Sequence, residues 1–291
     1  MPRGVPKNGF RKARTTKTDK IAKIMNVAQP SEPVIVETDE EIEQKLSDRF
    51  EILSDMTNAA IDGDIRALIV SGPAGLGKSF TVEKALESWD ASASSHRIVK
   101  GYVKAPALFK LLYQHRAPGS VLVFDDADDV FLDETAITLL KAALDTTDKR
   151  IISYMTEGTL IDEESAERLP KSFQFEGTVI FITNYDFDAM IERGSRLAPH
   201  LSALVSRAHY IDLAMKTQRD YLIRIRQVAR QGLLQNIGLS EEAQTDVISF
   251  IEKHAGRLRE LSLRMALKIG ALRRKNDGNW MKRAIVTCCK N

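Results

Sequence analysis

Residues 72 to 79 read Gly-Pro-Ala-Gly-Leu-Gly-Lys-Ser, the G-x-x-x-x-G-K-S spacing of a phosphate-binding loop. Gly72, Gly75 and Gly77 let the backbone turn sharply and offer successive N–H groups to a polyphosphate. A helix starting near Lys78 would aim its positive dipole end at the same anion. In that arrangement Lys78 reaches the β- and γ-phosphates and the Ser79 hydroxyl holds Mg²⁺. Pro73, Ala74, Leu76 and the following Phe80 complete the expected cradle for a nucleoside triphosphate.

Two more stretches end in groups suited to that chemistry. Val121-Leu122-Val123-Phe124 runs into Asp125-Asp126, about 45 residues after the loop. Asp125 can enter the Mg²⁺ shell, and Asp126 can orient or deprotonate an attacking water. Asp128 and Asp129, just beyond, read as a solvated turn with no role. Thr178-Val179-Ile180-Phe181-Ile182-Thr183 ends in Asn184, whose amide could bond the water or the γ-phosphate, or simply cap a turn.

These groups meet only if strands and helices alternate around them. An acidic helix opened by Thr38 or Asp39 carries Ile42, Leu46, Phe50, Leu53 and Met56 at helical spacing. From Ile65 the pattern predicts the strand Ala67-Leu68-Ile69-Val70, a helix over 79–89, a strand over 97–103 and a helix over 107–115. The strand ending at Asp125, a helix over 134–144, the strand over 178–183 and a short strand over 209–213 follow. Short apolar strands between helices imply a parallel sheet covered on both faces. Beyond Lys216 every segment reads as helix, with Tyr221, Ile225 and Val228 on one stripe and Leu258, Leu261, Met265, Ile269 and Leu272 on another. The fold class is therefore α/β, a P-loop NTPase sheet followed by a small all-α lid. Expected divisions are a basic arm over 1–30, a linker helix over 31–64, the nucleotide domain over 65–214 and the lid over 215–291.

Composition narrows the setting. The chain of 291 residues is 43% hydrophobic, ample for a core. No apolar stretch approaches a membrane span, and the basic, polar start is unlike a secretory signal. Cys288 and Cys289 are the only cysteines, which suggests no disulfide framework or metal site. A soluble, cytoplasmic protein is expected. The net charge of +2 conceals an arm with eight basic residues up to Met25 against Asp19 alone, so the remainder carries −5.

Together, the loop, Asp125-Asp126, Asn184 at a strand tip, Ser206-Arg207 before a last strand and the helical lid resemble an AAA+ ATPase over about residues 45 to 291. The resemblance implies ATP with Mg²⁺, and Asn184 as sensor 1. It implies an arginine finger reaching a neighbouring subunit, best matched by Arg207 in Leu201-Ser202-Ala203-Leu204-Val205-Ser206-Arg207, with Arg196 as the alternative. In Ser262-Leu263-Arg264 it implies a sensor 2 arginine, Arg264, with Arg259 as a second candidate. A homo-oligomeric ring or partial ring, usually of six subunits, follows from the same likeness. Many members carry Glu where this chain has Asp126; the shorter side chain changes its reach to the water, so hydrolysis is expected and its rate is open.

The insert before residue 178 has room for a hairpin, 150–154 against 172–175. This resembles the branch holding superfamily III viral helicases, bacterial unfoldases and MoxR-like chaperones. Its tip holds Glu157, Asp162, Glu163, Glu164 and Glu167 and is expected to be a solvated acidic loop that repels phosphates. Tyr102-Val103-Lys104 is expected to pack in the core or at the sheet edge. The segment around Arg49 and Phe50 is a candidate adenine contact. The basic arm suggests salt-sensitive attraction to nucleic acid, with a solubilising or docking tail as the other reading. Pro2-Arg3-Gly4-Val5-Pro6-Lys7 is similar to an AT-hook core, except that Val5 replaces its second arginine. An oligomeric ATPase remodelling DNA or a DNA-bound complex, with a compact phage-like plan, is the leading expectation. A protein-remodelling ATPase and a nucleotide switch are the alternatives.

Overall fold

The computed structural model describes residues 37–162, 166–275 and 278–290. The basic arm, the first residues of the linker, and Glu163 and Glu164 of the hairpin tip lie outside the described residues. Residues Asp39–Asn291 form one compact unit.

Ala67–Ser71 (β1), Val121–Asp125 (β3) and Thr178–Thr183 (β6) are buried at every position, as strands sandwiched between helices must be. With His96–Lys100 (β2) and His209–Asp212 (β7) they form a five-stranded parallel sheet in the order β2-β3-β6-β1-β7. Alternation sends Leu68, Val70, Val123, Ile180 and Ile182 to one face. There they meet Leu46, Phe50 and Leu53 of Asp39–Asp62 (α1) and Val82 and Leu86 of Lys78–Trp89 (α2). Ile69, Leu122, Phe124, Val179 and Phe181 point the other way, toward Ala105–Gln114 (α3) and Glu134–Ala143 (α4). The rings of the register partners Phe124 and Phe181 stack with centroids 5.2 Å apart. Each such side chain contributes about 1.5–3 kcal/mol on burial, so the sheet carries the stability and its loops are free to hold strained backbone.

The strand expected over 97–103 stops at Lys100, because Gly101 turns the chain at φ +92°. Val103 packs in the core as expected, but Tyr102 does not: it is 68% exposed. The helix expected from 107 opens two residues earlier, with Pro106 in its first turn where no N–H is needed. The predicted hairpin forms, Ile151–Ser153 (β4) pairing antiparallel with Ser172–Gln174 (β5). Phe173 and Phe175 are both buried, the latter under the Arg150 guanidinium. One acid of the insert departs from expectation. Asp162 is buried, held by Gln114 at 3.1 Å and Lys110 at 3.3 Å, whereas Glu157 and Glu167 are exposed.

Phe187–Glu192 (α5) and Ala198–Val205 (α6) connect β6 to β7. Four helices then build a third core around Ile225, Val247, Phe250, Met265, Ile269 and Trp280: Gln218–Arg230 (α7), Glu241–His254 (α8), Leu263–Arg273 (α9) and Trp280–Cys288 (α10). Thr217 with Asp220, then Ser240, then Ser262 cap the first three through side-chain oxygens that accept backbone N–H bonds. No helix among the described residues is long and apolar enough to cross a membrane.

Candidate active site

β1 lies between β6 and β7, neither its neighbour in sequence, so a crevice opens beyond its carboxyl end, where ligands bind in such sheets. The loop 72–77 fills that crevice. Gly77 caps α2 in the left-handed region at φ +99°, which a side chain would resist. Gly75, at φ +75°, has a second constraint. A β-carbon there would stand 2.8 Å from Ser262 Cβ, and its carbonyl accepts the Leu263 N–H at 2.8 Å. The lid helix α9 thus begins on the loop itself.

Lys78 is buried, and its ammonium donates to the carbonyls of Gly72 and Pro73 and, at 3.0 Å, to Asn184 Oδ1. Burial pushes its pKa down to about 8, against the opposing pull of Asp126, Asp125 and Asp128, while nearby Arg264 adds to the depression. Ser79 Oγ donates to Asp125 Oδ1 at 2.8 Å, and Asp125 is itself buried at the end of β3. Asp126 follows in the left-handed region at φ +53°, an uncommon conformation that Asp tolerates better than most residues. There its Oδ1 accepts the Asn184 Nδ2 proton at 2.7 Å. A single side chain at the tip of β6 therefore bridges the loop lysine and the second carboxylate.

Ser79 and Asp125 are hard oxygen donors side by side, the set Mg²⁺ takes when phosphates and water supply the rest. Asp125 Oδ2 already faces a cation, Lys100 Nζ at 3.1 Å, which also bonds Glu83 at 2.6 Å. Among the described residues no cluster of three or more His, Cys, Asp or Glu offers an all-protein cage.

No family model matches the chain. An uncharacterized 36.7 kDa protein from the nrdC–mobD intergenic region of Enterobacteria phage T4 is 37% identical over 248 residues, 84% of this chain and 75% of that protein. The chain belongs to the same family as this phage protein. Its architecture is that of a P-loop NTPase, a parallel sheet with the glycine-rich loop at the carboxyl end of β1 and a helical bundle after it. Among solved structures it is similar to a Thermotoga maritima RuvB variant (15% identity, 85% of this chain and 68% of that one, TM-score 0.44). Aeropyrum pernix ORC2 in ADPNP–ADP complexes gives 12% identity, coverages of 84% and 68%, and a TM-score of 0.47. Brucella abortus NtrX with ATP gives 12% identity, coverages of 89% and 56%, and a TM-score of 0.47.

The remaining predicted residues divide. Arg264 stands beside the loop, its Cβ 3.6 Å from where one on Gly75 would lie. Arg259 is exposed, and its backbone N–H bonds the Cys288 carbonyl. Arg207 is half-buried and folds back on the Ala203 carbonyl at 2.8 Å, with Nε buried and without a partner among the described residues. Arg196 is 86% exposed and paired with Glu134 at 2.7 Å. Phe80, expected in the cradle, is 68% exposed on α2. Arg49 donates to the Ala214 carbonyl at 3.1 Å, while Phe50 is buried near Gly77.

Sequence reasoning missed three groups at this site. Asp128 is half-buried rather than a solvated turn; burial raises its pKa, against the opposing effect of the Thr183 hydroxyl and the Asn184 N–H beside it. Lys100 reaches Asp125 through the β2–β3 register. Arg224 of α7 reaches the loop from the lid. A signal for Arg224 existed in the sequence, for it falls between Tyr221 and Ile225 on the apolar stripe.

Proposed function

We propose that the chain is an ATP-hydrolysing AAA+ module, active as a homo-oligomer, that remodels DNA or a DNA-bound protein complex. The observation carrying the reading is the chain of contacts Lys78–Asn184–Asp126 beside Ser79–Asp125. Residues Gly72 to Phe80 cradle the triphosphate, and Lys78 exchanges a loop carbonyl for a phosphate oxygen. Ser79 and Asp125 would hold Mg²⁺, which when bound would neutralise phosphate charge. Asn184 holds Asp126 where it orients the water and takes its proton as the new P–O bond forms and the bond to ADP breaks. Arg264 faces the γ-phosphate from the same chain, and Arg207, or Arg196, enters from the neighbouring protomer. Such a finger is worth about 10³–10⁵ in rate.

Charge distribution supports nucleic acid as the target. Residues 37–252 hold 23 Lys or Arg against 36 acids, whereas residues 253–290 hold eleven against two. Lys253, Arg257, Arg259, Lys268, Lys282 and Lys290 of that basic stretch are exposed. Sequence-independent attraction to phosphates follows from such a field. One observation favours the second reading, a protein-remodelling ATPase: Ile151, Met155 and Ile161 of the hairpin insert are about half or more exposed, at 49%, 71% and 56%. The two separate in one experiment, ATPase rate against duplex and single-stranded DNA at two salt concentrations. Salt-sensitive stimulation by DNA is expected; indifference to DNA at both salts refutes the DNA reading. A cytoplasmic location, in the bacterial host if phage-encoded, goes with this function.

A further inference from the structure

Arg224 is buried, with 7% exposure, and its guanidinium lies 3.5 Å from the centre of the Phe50 ring. Its Nη2 is 3.8 Å from where a β-carbon on Gly77 would stand, a point that Leu263 of α9 and Phe50 of α1 also approach. So α1, α7 and α9 converge on the last glycine of the loop, and the only charge they bring there is positive.

The surroundings leave that charge unbalanced. Nη1 donates to the neutral Gln227 Oε1 at 2.7 Å, and Nε is buried with no partner among the described residues. Arg226 and Arg230, on the same helix, behave as surface arginines do, pairing with Glu252 and Glu43 at 2.6 Å. Removal from water draws the Arg224 guanidinium down to about 10, a direction no carboxylate opposes. An ionised group buried without a counter-charge is costly, and replacing it with an apolar side chain of similar volume is often neutral or stabilising. A charge placed so expensively beside an anion cradle points to the anion as its partner.

We infer that Arg224 is a latch for the nucleotide's phosphates, its charge balanced by the bound di- or triphosphate, so that anion binding draws α7 and α1 against the loop. This rests on the reading of residues 72–80 as the triphosphate site, and it adds to Arg264, which is exposed and comes from a different helix.

Full-length protein and its Arg224→Met and Arg224→Lys variants test the idea in two measurements. Calorimetric titration gives affinities for ADP and for inorganic pyrophosphate, and thermal unfolding is followed with and without ADP. Arg224→Met is expected to keep or raise the ligand-free Tm. It should weaken ADP and pyrophosphate alike by on the order of 10- to 30-fold, as for one unit charge several ångströms away in a partly buried site. The ADP-induced rise in Tm should shrink with it, and Arg224→Lys should recover part of the affinity. Wild-type affinity in Arg224→Met overturns the inference. A lower ligand-free Tm with unchanged affinity also overturns it, marking a purely structural arginine. So does a loss for ADP that spares pyrophosphate, which would mean a contact to the base. Should Arg224→Met fail to fold, Arg224→Gln undergoes the same titrations with the same expectations. If the wild type itself binds neither ligand, the triphosphate-site reading fails instead.

Discussion

Replacing Asn184 separates its two contacts, because the side chain accepts from Lys78 at 3.0 Å and donates to Asp126 at 2.7 Å. Each is a hydrogen bond to an ionised group, worth about 1.5–3 kcal/mol where water is excluded. Lys78 keeps the Gly72 and Pro73 carbonyls if Asn184 is lost, so nucleotide binding should change little. Asp126 loses the group that fixes its carboxylate, and that loss is felt when the water must be aimed. Asn184 and Asp126 are both exposed, which moves the expectation to the lower end, about tenfold in kcat at 1.36 kcal/mol per decade. Asn184→Ala should therefore lower kcat about tenfold while the ADP Kd stays within about threefold. Asn184→Asp retains an acceptor for Lys78 but replaces the donor to Asp126 with an oxygen and sets like charges together. Its kcat should fall at least as far. Steady-state ATPase assays paired with fluorescent-ADP titrations measure both quantities. A wild-type kcat in Asn184→Asp, or an Asn184→Ala defect confined to Kd, would refute the positioning argument.

Other consequences can be checked as directly. Gly75→Ala places a β-carbon 2.8 Å from Ser262 in a left-handed backbone; the backbone alone costs about 1–2 kcal/mol, so Tm and ADP affinity should both drop, and an unchanged Tm would disprove the loop–lid contact. Lys78, with its folded pKa lowered from 10.5 to about 8, is less protonated than in the unfolded chain between those values. Ligand-free stability should accordingly rise with pH from about 8 toward 10. MgATP binding, by restoring the charge, should take up about half a proton at pH 8 and almost none at pH 6.5, as calorimetry in buffers of different ionisation enthalpy would reveal. Of the finger candidates, Arg207→Ala should abolish most activity at assembling concentrations while leaving ADP affinity intact; full activity there would shift the role to Arg196.

Much of this was legible beforehand because the informative residues sit at the ends of buried strands. β1, β3 and β6 are uninterrupted apolar runs, and the polar residues that follow them have nowhere to go but the sheet's carboxyl edge. What stayed hidden depends on register and on packing between distant segments. Asp128 looks like a turn acid until Thr183 and Asn184, some 55 residues on, are placed over it. Lys100 meets Asp125 only because β2 and β3 pair in that register. Arg224 is one of four arginines on α7, distinguished by the ring of Phe50, which lies far earlier in the chain on α1. The early stop of β2 came from one glycine's positive φ, which apolar patterning does not report.

The central claim is that ATP is cradled by one protomer and triggered by an arginine from the next. ATPase rate per subunit, followed through a dilution series with mass measured on the same samples, tests it most directly. The rate should collapse as assemblies come apart; brisk turnover by a protein that stays a single subunit at every concentration would contradict the account.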